Sequence, residues 1–246
     1  MNFLYRIYCV LGVLACVLIA GVMLLLTGVP LLLLPKKHRW KFGIWCNVAV
    51  AWIYLHLVPF FARVEKNGLE NIPRSRGFLA IANHRSAVDI PIVLVDTRAH
   101  GISKKAVLYF PFMGQLGYLG GALFFDRKSH SARRRVLREA LRRMQAGQPL
   151  HIYPEGTRVR EGQNVRVHLA LVEFCWKSQI PVLPVALMDT EHGLPEPFIL
   201  RPFQKMKVSY LPLVEPSDFE NSKDFAQACW QMVQDEVVNL SSESVE

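Results

Sequence analysis

The chain has 246 residues, 51% of them hydrophobic and 20% charged, with a formal net charge of +9. That length suits one α/β domain with an appendage, and the basic balance suits an anionic surface. Five scattered cysteines, Cys9, Cys16, Cys46, Cys175 and Cys229, lack the paired spacing of a zinc site or a disulfide framework. They read as small buried apolar residues in a reducing compartment.

In chain order, the first feature is an uncharged run over residues 7–35. It is long enough for a membrane-spanning helix of about 20 residues. Gly28 and Pro30 are expected to end or bend that helix. Lys36, Lys37, Arg39 and Lys41 follow, and then a second uncharged, aromatic-rich stretch over 42–62. A basic cluster in place of a small-residue cleavage site argues against a signal peptide. Arg6 and the basic cluster both favour the cytoplasmic side, so either the first stretch spans once or the pair forms a shallow hairpin in one leaflet. The alternative for the second stretch is a core helix. Residues 1–62 are therefore expected to be N-terminal membrane-anchoring helices, and 63–246 an α/β domain.

Beyond residue 62, strand-like runs at 63–66, 77–82, 122–125, 150–153, 182–187 and 205–212 alternate with helical patterns at 90–96, 132–145, 168–178 and 218–240. Such alternation predicts an α/β sandwich with a largely parallel sheet. Asn67-Gly68 and Pro73 mark turns, and 241–246 is a polar tail. Directly after the second run comes Asn83-His84-Arg85-Ser86-Ala87-Val88-Asp89. Asp89 is placed to N-cap the helix that follows, with Pro91 in its first turn. Within one helix, positions five apart lie about 140° apart. His84 and Asp89 can meet only if the histidine precedes the helix. The helix at 132–145 carries an arginine face without the aromatic interleaving of a nucleic-acid module, which makes anionic headgroups the expected contact and a solvated face with no specific partner the alternative.

After the run at 150–153 come Glu155-Gly156-Thr157-Arg158. With His84 and Asp89 this chain resembles the glycerolipid acyltransferases, specifically the 1-acylglycerol-3-phosphate acyltransferase family, whose signatures NHxxxxD and EGTR are both present. Gly121–Arg127 is similar to that family's GxxFxDR block, and Ile180–Val185 to its proline-bracketed strand. Ser103-Lys104-Lys105 and Phe110-Pro111-Phe112-Met113-Gly114 are also typical. The similarity runs from about Phe78 to Val185. A lysine and a glycine usual after EGTR are replaced here by His168 and Ala170, through drift or through an altered acceptor pocket.

The resemblance implies transfer of a fatty acyl chain from an acyl-carrier-protein or acyl-coenzyme A thioester to the sn-2 hydroxyl of 1-acyl-sn-glycerol 3-phosphate, giving phosphatidic acid. It calls for no cofactor or metal beyond the thioester co-substrate. His84 would be the general base and Asp89 its orienting carboxylate. Arg158 would clamp the acceptor phosphate, with Arg127, Lys104 and Lys105 as second choices. Glu155, Gly156 and Thr157 complete the substrate-binding block, and amides near Gly156 could serve the phosphate or the tetrahedral oxyanion. For Glu155 and Arg127 a structural ion pair is the competing role. Partners would be lysophosphatidic acid or a related lysolipid, the acyl thioester and a phospholipid bilayer, with no nucleic acid. The location would be a bacterial inner membrane, with the catalytic domain on its cytoplasmic side. Alternatives are a different lysolipid acceptor and a catalytically silent membrane scaffold of the same fold.

Overall fold

The apolar run at the front is helical in the computed structural model, which describes residues 3–57, 63–110, 112–160, 163, 165–193 and 204–242. Helix α1 (Phe3–Met23) passes through a π-helical turn (Leu24–Gly28) into α2 (Val29–Leu33). A proline removes one ladder amide and crowds the carbonyl four residues back, and a wider turn just before Pro30 relieves both. Gly28 and Pro30 thus distort the helix without ending it. The helix stops where Leu34 becomes extended, with ψ 144°, ahead of Pro35. Helix α3 (Lys36–Leu57) then folds back against α1 and α2.

Among the described residues seven strands and six further α-helices follow: β1 (Arg63–Asn67), β2 (Leu79–Ala82), α4 (Asp89–Thr97), β3 (His100–Lys104), α5 (Met113–Leu119), β4 (Leu123–Phe125), α6 (His130–Gln145), β5 (Leu150–Ile152), α7 (Ala170–Lys177), β6 (Val182–Met188), α8 (Thr190–Gly193), β7 (Lys205–Tyr210) and α9 (Ser222–Ser242). One sheet results, in the order β1-β7-β6-β2-β5-β3-β4. Every neighbouring pair is parallel except β6 with β7. The α/β sandwich with a largely parallel sheet is therefore the observed fold.

Strand β3 and helices α5 and α8 have no counterpart among the expected elements. His100-Gly101-Ile102-Ser103-Lys104 offers a single large apolar residue, and α5 contains Gly114 and Gly117, both poor helix formers. The expected tail at 241–246 lies outside the described residues from 243 onward, as does Pro111.

Alternation along β2 separates two cores. Phe78, Ala80 and Ala82 pack with Val88, Ile92 and Val93 of the α4 segment, and Cys9 of α1 joins them. Leu79 and Ile81 face the other way, onto Ala140 and Met144 of α6, Val172 and Cys175 of α7, and Phe225 and Cys229 of α9. The arginine helix α6 therefore covers the sheet face opposite the N-terminal helices.

The two uncharged stretches differ in kind. Ile7–Leu33 has a mean hydropathy of 3.0 and is 12% buried, and among the described residues it is the one helix long and apolar enough to cross a membrane. Helix α3 instead packs on α4 and α5, with Ile44, Val50 and Ala51 buried and Gly43 tight against Gly120. The expectation that 42–62 is mainly membrane-directed is corrected to that extent, because its buried face serves the globular core. Its other face stays apolar: Phe42, Trp45 and Trp52 are exposed. Residues 58–62, where the expected boundary falls, lie outside the described residues.

Deleting residues 1–33 is expected to leave a folded chain that loses carbonate-resistant membrane attachment. Deleting 1–62 is expected to lower the unfolding midpoint as well, because it strips α3 from α4. Carbonate washing and thermal unfolding of both deletions check this. Equal midpoints for the two would remove α3 from the core.

Candidate active site

A parallel sheet gathers the carboxyl ends of neighbouring strands at one edge, where ligands bind in open α/β folds. Here β2, β5, β3 and β4 deliver, side by side, the segments carrying His84, Glu155, Lys104 and Arg127. The sheet ladder does not stop at Ala82: Asn83 donates through Nδ2 to the Leu187 carbonyl at 2.8 Å, and its Oδ1 accepts from the Leu187 amide at 2.8 Å. This buried amide mimics one more backbone pairing and fixes where the turn begins.

In that turn His84 Nδ1 lies 2.7 Å from Asp89 Oδ2. The same oxygen accepts the backbone amides of Arg85 at 2.7 Å and Ser86 at 2.8 Å. Asp89 is fully buried, whereas the His84 side chain keeps 14% of its exposure. One expectation is corrected here. Asp89 is the first residue of α4, after Val88, and its carboxylate reaches back to the turn and caps no helix amide. The reason is geometric, since the preceding turn presents two amides and a ring nitrogen to one oxygen. Pro91 does lie in the first turn, as expected.

Glu155 ties the two motifs together: its Oε2 accepts the His84 backbone amide at 2.6 Å. The expected competing role, an ion pair with an arginine, is replaced by this backbone contact. Burial pushes its carboxyl up to about 7; the His84 amide opposes the shift, the Asp89 charge adds to it, and Arg85 opposes it. The Val159 amide also returns to the His84 carbonyl at 2.8 Å, so His84 is held on both sides of its backbone.

Gly156 sits at φ +66°, in the left-handed region, and a Cβ there would lie 2.8 Å from Arg127 Nη2. Both facts require glycine. Its carbonyl accepts Arg127 Nη2 at 2.6 Å, so Arg127 holds the loop through a backbone oxygen and not through a salt bridge. The Gly156 amide closes the turn onto the Tyr153 carbonyl at 2.9 Å and is not available for an oxyanion. Thr157 and Arg158 are exposed beside it. The Pro154 carbonyl accepts the His168 amide at 2.9 Å, which places the substituted His168 position next to the motif.

The structure thus joins His84, Asp89, Glu155, Gly156 and Arg127 through hydrogen bonds. Lys104 ends β3 and Lys105 begins the 3₁₀ turn Lys105–Tyr109; both are exposed at the same sheet edge, and among the described residues no hydrogen bond or ion pair links either to the dyad. Among the described residues no His, Cys, Asp and Glu cluster could hold a metal.

Three contributors were not singled out by sequence. The Tyr153 ring stacks on His84 at 4.1 Å between centroids and 20° between planes. Burial, and then the Asp89 charge, push its hydroxyl well above the usual tyrosine range. Arg85 pairs with Glu191 at 2.8 Å, binding the turn to α8. Asn83 extends the ladder as described. An aromatic residue two positions before Glu155 was visible in the chain, but only the fold stacks it on a ring 69 positions earlier.

Known proteins resemble this chain in sequence and in fold. A family model described as Acyltransferase matches residues 63–188. The chloroplastic 1-acyl-sn-glycerol-3-phosphate acyltransferase BAT2 of Brassica napus is 29% identical over 188 residues, 76% of this chain and 53% of that protein. The 1-acyl-sn-glycerol-3-phosphate acyltransferase of Borreliella burgdorferi is 26% identical over 156 residues, 62% of each chain. This chain spans about half the length of the first of these relatives. The crystal structure of the 1-acyl-sn-glycerophosphate (LPA) acyltransferase of Thermotoga maritima superposes with a TM-score of 0.78 at 24% identity, covering 96% of this chain and 98% of that one.

Proposed function

The chain belongs to the acyltransferase family, and from that premise we propose that it moves a fatty acyl chain from an acyl thioester to the free hydroxyl of 1-acyl-sn-glycerol 3-phosphate. The observation that carries this reading is the buried Asp89 carboxylate 2.7 Å from His84 Nδ1. With Nδ1–H donated to Asp89, Nε2 is left as the proton acceptor. The base takes the proton of the substrate hydroxyl as that oxygen attacks the thioester carbonyl. Asp89 holds the ring's orientation and stabilises the imidazolium that forms. When the tetrahedral intermediate collapses, His84 returns the proton to the departing thiolate. No Gly-x-Ser-x-Gly elbow occurs in the chain, consistent with direct transfer without an acyl-serine.

Arg158, exposed at the mouth of the site, is proposed to bind the acceptor's phosphate, with Lys104 and Lys105 from the neighbouring β3 end. Glu155 and Arg127 are proposed to position the base and the loop. The helix Ile7–Leu33 serves as the anchor that brings a lipid acceptor to residues 63–246. The donor is an acyl-carrier-protein or coenzyme A thioester, and the chain works at the inner face of a bacterial cytoplasmic membrane.

The testing experiment presents one labelled acyl donor with a panel of lysolipids. Lysophosphatidic acid is expected to be the preferred acceptor; preference for a lysophospholipid with a larger headgroup would change the substrate assignment. Arg158→Ala should cut kcat/KM for the phosphate-bearing acceptor by roughly ten- to a hundredfold, the worth of a charge-assisted contact, with little change toward the donor. Steady-state kinetics with each substrate varied in turn decides this. A defect confined to the thioester would move Arg158 to the donor site.

A further inference from the structure

The opposite edge of the sheet, where the chain enters β2, β3 and β5, holds a cleft of about 280 Å³ closed on one side by α3. Among the described residues four cations, Lys41, Arg74, Arg76 and Arg98, line it, and no carboxylate does. Among the described residues, only Arg76 of these four has an acidic partner, Glu215. Arg98 lies over the Trp45 ring at 4.3 Å, Lys41 lies 5.4 Å from the Trp40 ring centroid, and Arg74 donates to the Asp96 carbonyl at 3.2 Å. None of these contacts neutralises a charge.

Two buried polar groups line the same cleft. Gln148 is 3% exposed, and among the described residues neither its side-chain nitrogen nor its oxygen has a hydrogen-bond partner. His100 is 2% exposed; its ring donates to the Gly120 carbonyl, and its Nδ1 is likewise without a partner. Burial, and then the neighbouring Arg143 and His151, push that imidazole down to about 3, so Nδ1 is a bare acceptor at neutral pH. Burying such groups unmet costs free energy, which a ligand completing them recovers.

The chemistry required is specific. The cations and the Gln148 amide nitrogen call for anionic oxygens. The Gln148 oxygen and His100 Nδ1 call for hydroxyl donors on the same ligand. We propose that this cleft is a second binding site, distinct from the catalytic edge, for a phosphate group bearing an adjacent hydroxyl. A phosphoglycerol headgroup has that character, and so does hydrogenphosphate itself. Sulfate, which carries no proton at neutral pH, meets only half of the demand. Trp40 of α3 lines the cleft and the exposed Trp45 lies under the lining Arg98, and such aromatic residues beside cations favour a headgroup as the source.

The test uses the full chain in detergent micelles at pH 7.5 and reads its thermal midpoint in inorganic phosphate, sn-glycerol 3-phosphate or sulfate at matched ionic strength. Phosphate and glycerol phosphate are expected to raise the midpoint by roughly 5 °C near hundredfold saturation, with sulfate well behind. Gln148→Leu, close in volume, should abolish the advantage of phosphate over sulfate. Lys41→Glu combined with Arg74→Glu, both on the surface, should abolish the response to every anion. An unchanged phosphate response in both variants would place the bound anion elsewhere, the catalytic edge included, and overturn the proposal; so would the absence of any response in the parent. Nanodiscs of phosphatidylglycerol against phosphatidylcholine identify the source. A phosphatidylglycerol-specific rise lost in Gln148→Leu means a lipid headgroup, and a response to the soluble ions alone means a free phosphate. No arm measures acyl transfer, so the outcome stands apart from the proposed reaction.

Discussion

His84→Ala is expected to lower kcat by about 10²–10⁴-fold, the usual worth of a general base. The loss should fall on kcat more than on either KM, because Nε2 acts on the proton in flight and binds neither substrate's bulk. Folding should survive, since the backbone contacts that hold position 84, to Glu155 and Val159, do not involve the ring. What disappears is the stack on Tyr153 and the contact to Asp89, which leaves a buried carboxylate with two backbone amides in place of three donors. Thermal unfolding alongside the kinetics separates these effects. Activity within about tenfold of the parent, in a protein that still unfolds cooperatively, would remove His84 from the chemistry.

Glu155→Gln is expected to stabilise the protein at pH 8 and to leave its stability at pH 4.5 nearly unchanged. Burial holds the Glu155 carboxyl up at about 7, against an ordinary value of 4.5, so the folded chain keeps this proton more tightly than the unfolded one. Its contribution is present in full below about 4.5 and is lost as pH rises through about 7. That separation corresponds to at most roughly 3 kcal/mol, or about 5–10 °C in Tm for a chain of this size. Glutamine keeps an oxygen for the His84 amide and removes the ionisation.

Two histidines act in the opposite sense. Burial first, then Arg143 and His151, lowers His100 to about 3, and burial first, with a smaller push from His84, lowers His151 to about 4, both from 6.5. Their contribution is present above about 6.5 and drains away as pH falls toward those values, by roughly 2 kcal/mol each at pH 5. In the parent, Glu155 offsets part of that acid loss. In Glu155→Gln it does not, so the variant's Tm should fall more steeply between pH 8 and pH 5. Parallel curves for parent and variant would show that Glu155 titrates normally.

Much of the site was legible because its chemistry is local. His84 and Asp89 lie in one turn, and the five-residue spacing by itself required that turn to precede the helix, as it does. Six of the seven strands were located, β2 and β6 most plainly, because a strand buried on both faces reads as a continuous apolar segment, whereas β1 is largely exposed and has Val64 as its one apolar residue. Helix α6 was legible from its period, while the side of the sheet it covers was not.

The sequence by itself therefore determined the fold class, the dyad and the presence of one long apolar helix. Only the tertiary structure decided that Glu155 holds the His84 amide, that Tyr153 lies under the imidazole, that Arg127 braces Gly156, and that Asp89 caps nothing. It also decided that α3 belongs partly to the core, and that four cations meet a buried amide at the far sheet edge. For the contacts that join the separate motifs the physical reason is the same. Periodicity and spacing report the geometry of a few consecutive residues, whereas these contacts depend on sheet order, which brings β2 beside β5 and β3 beside β4 and has no signature in any short stretch of chain.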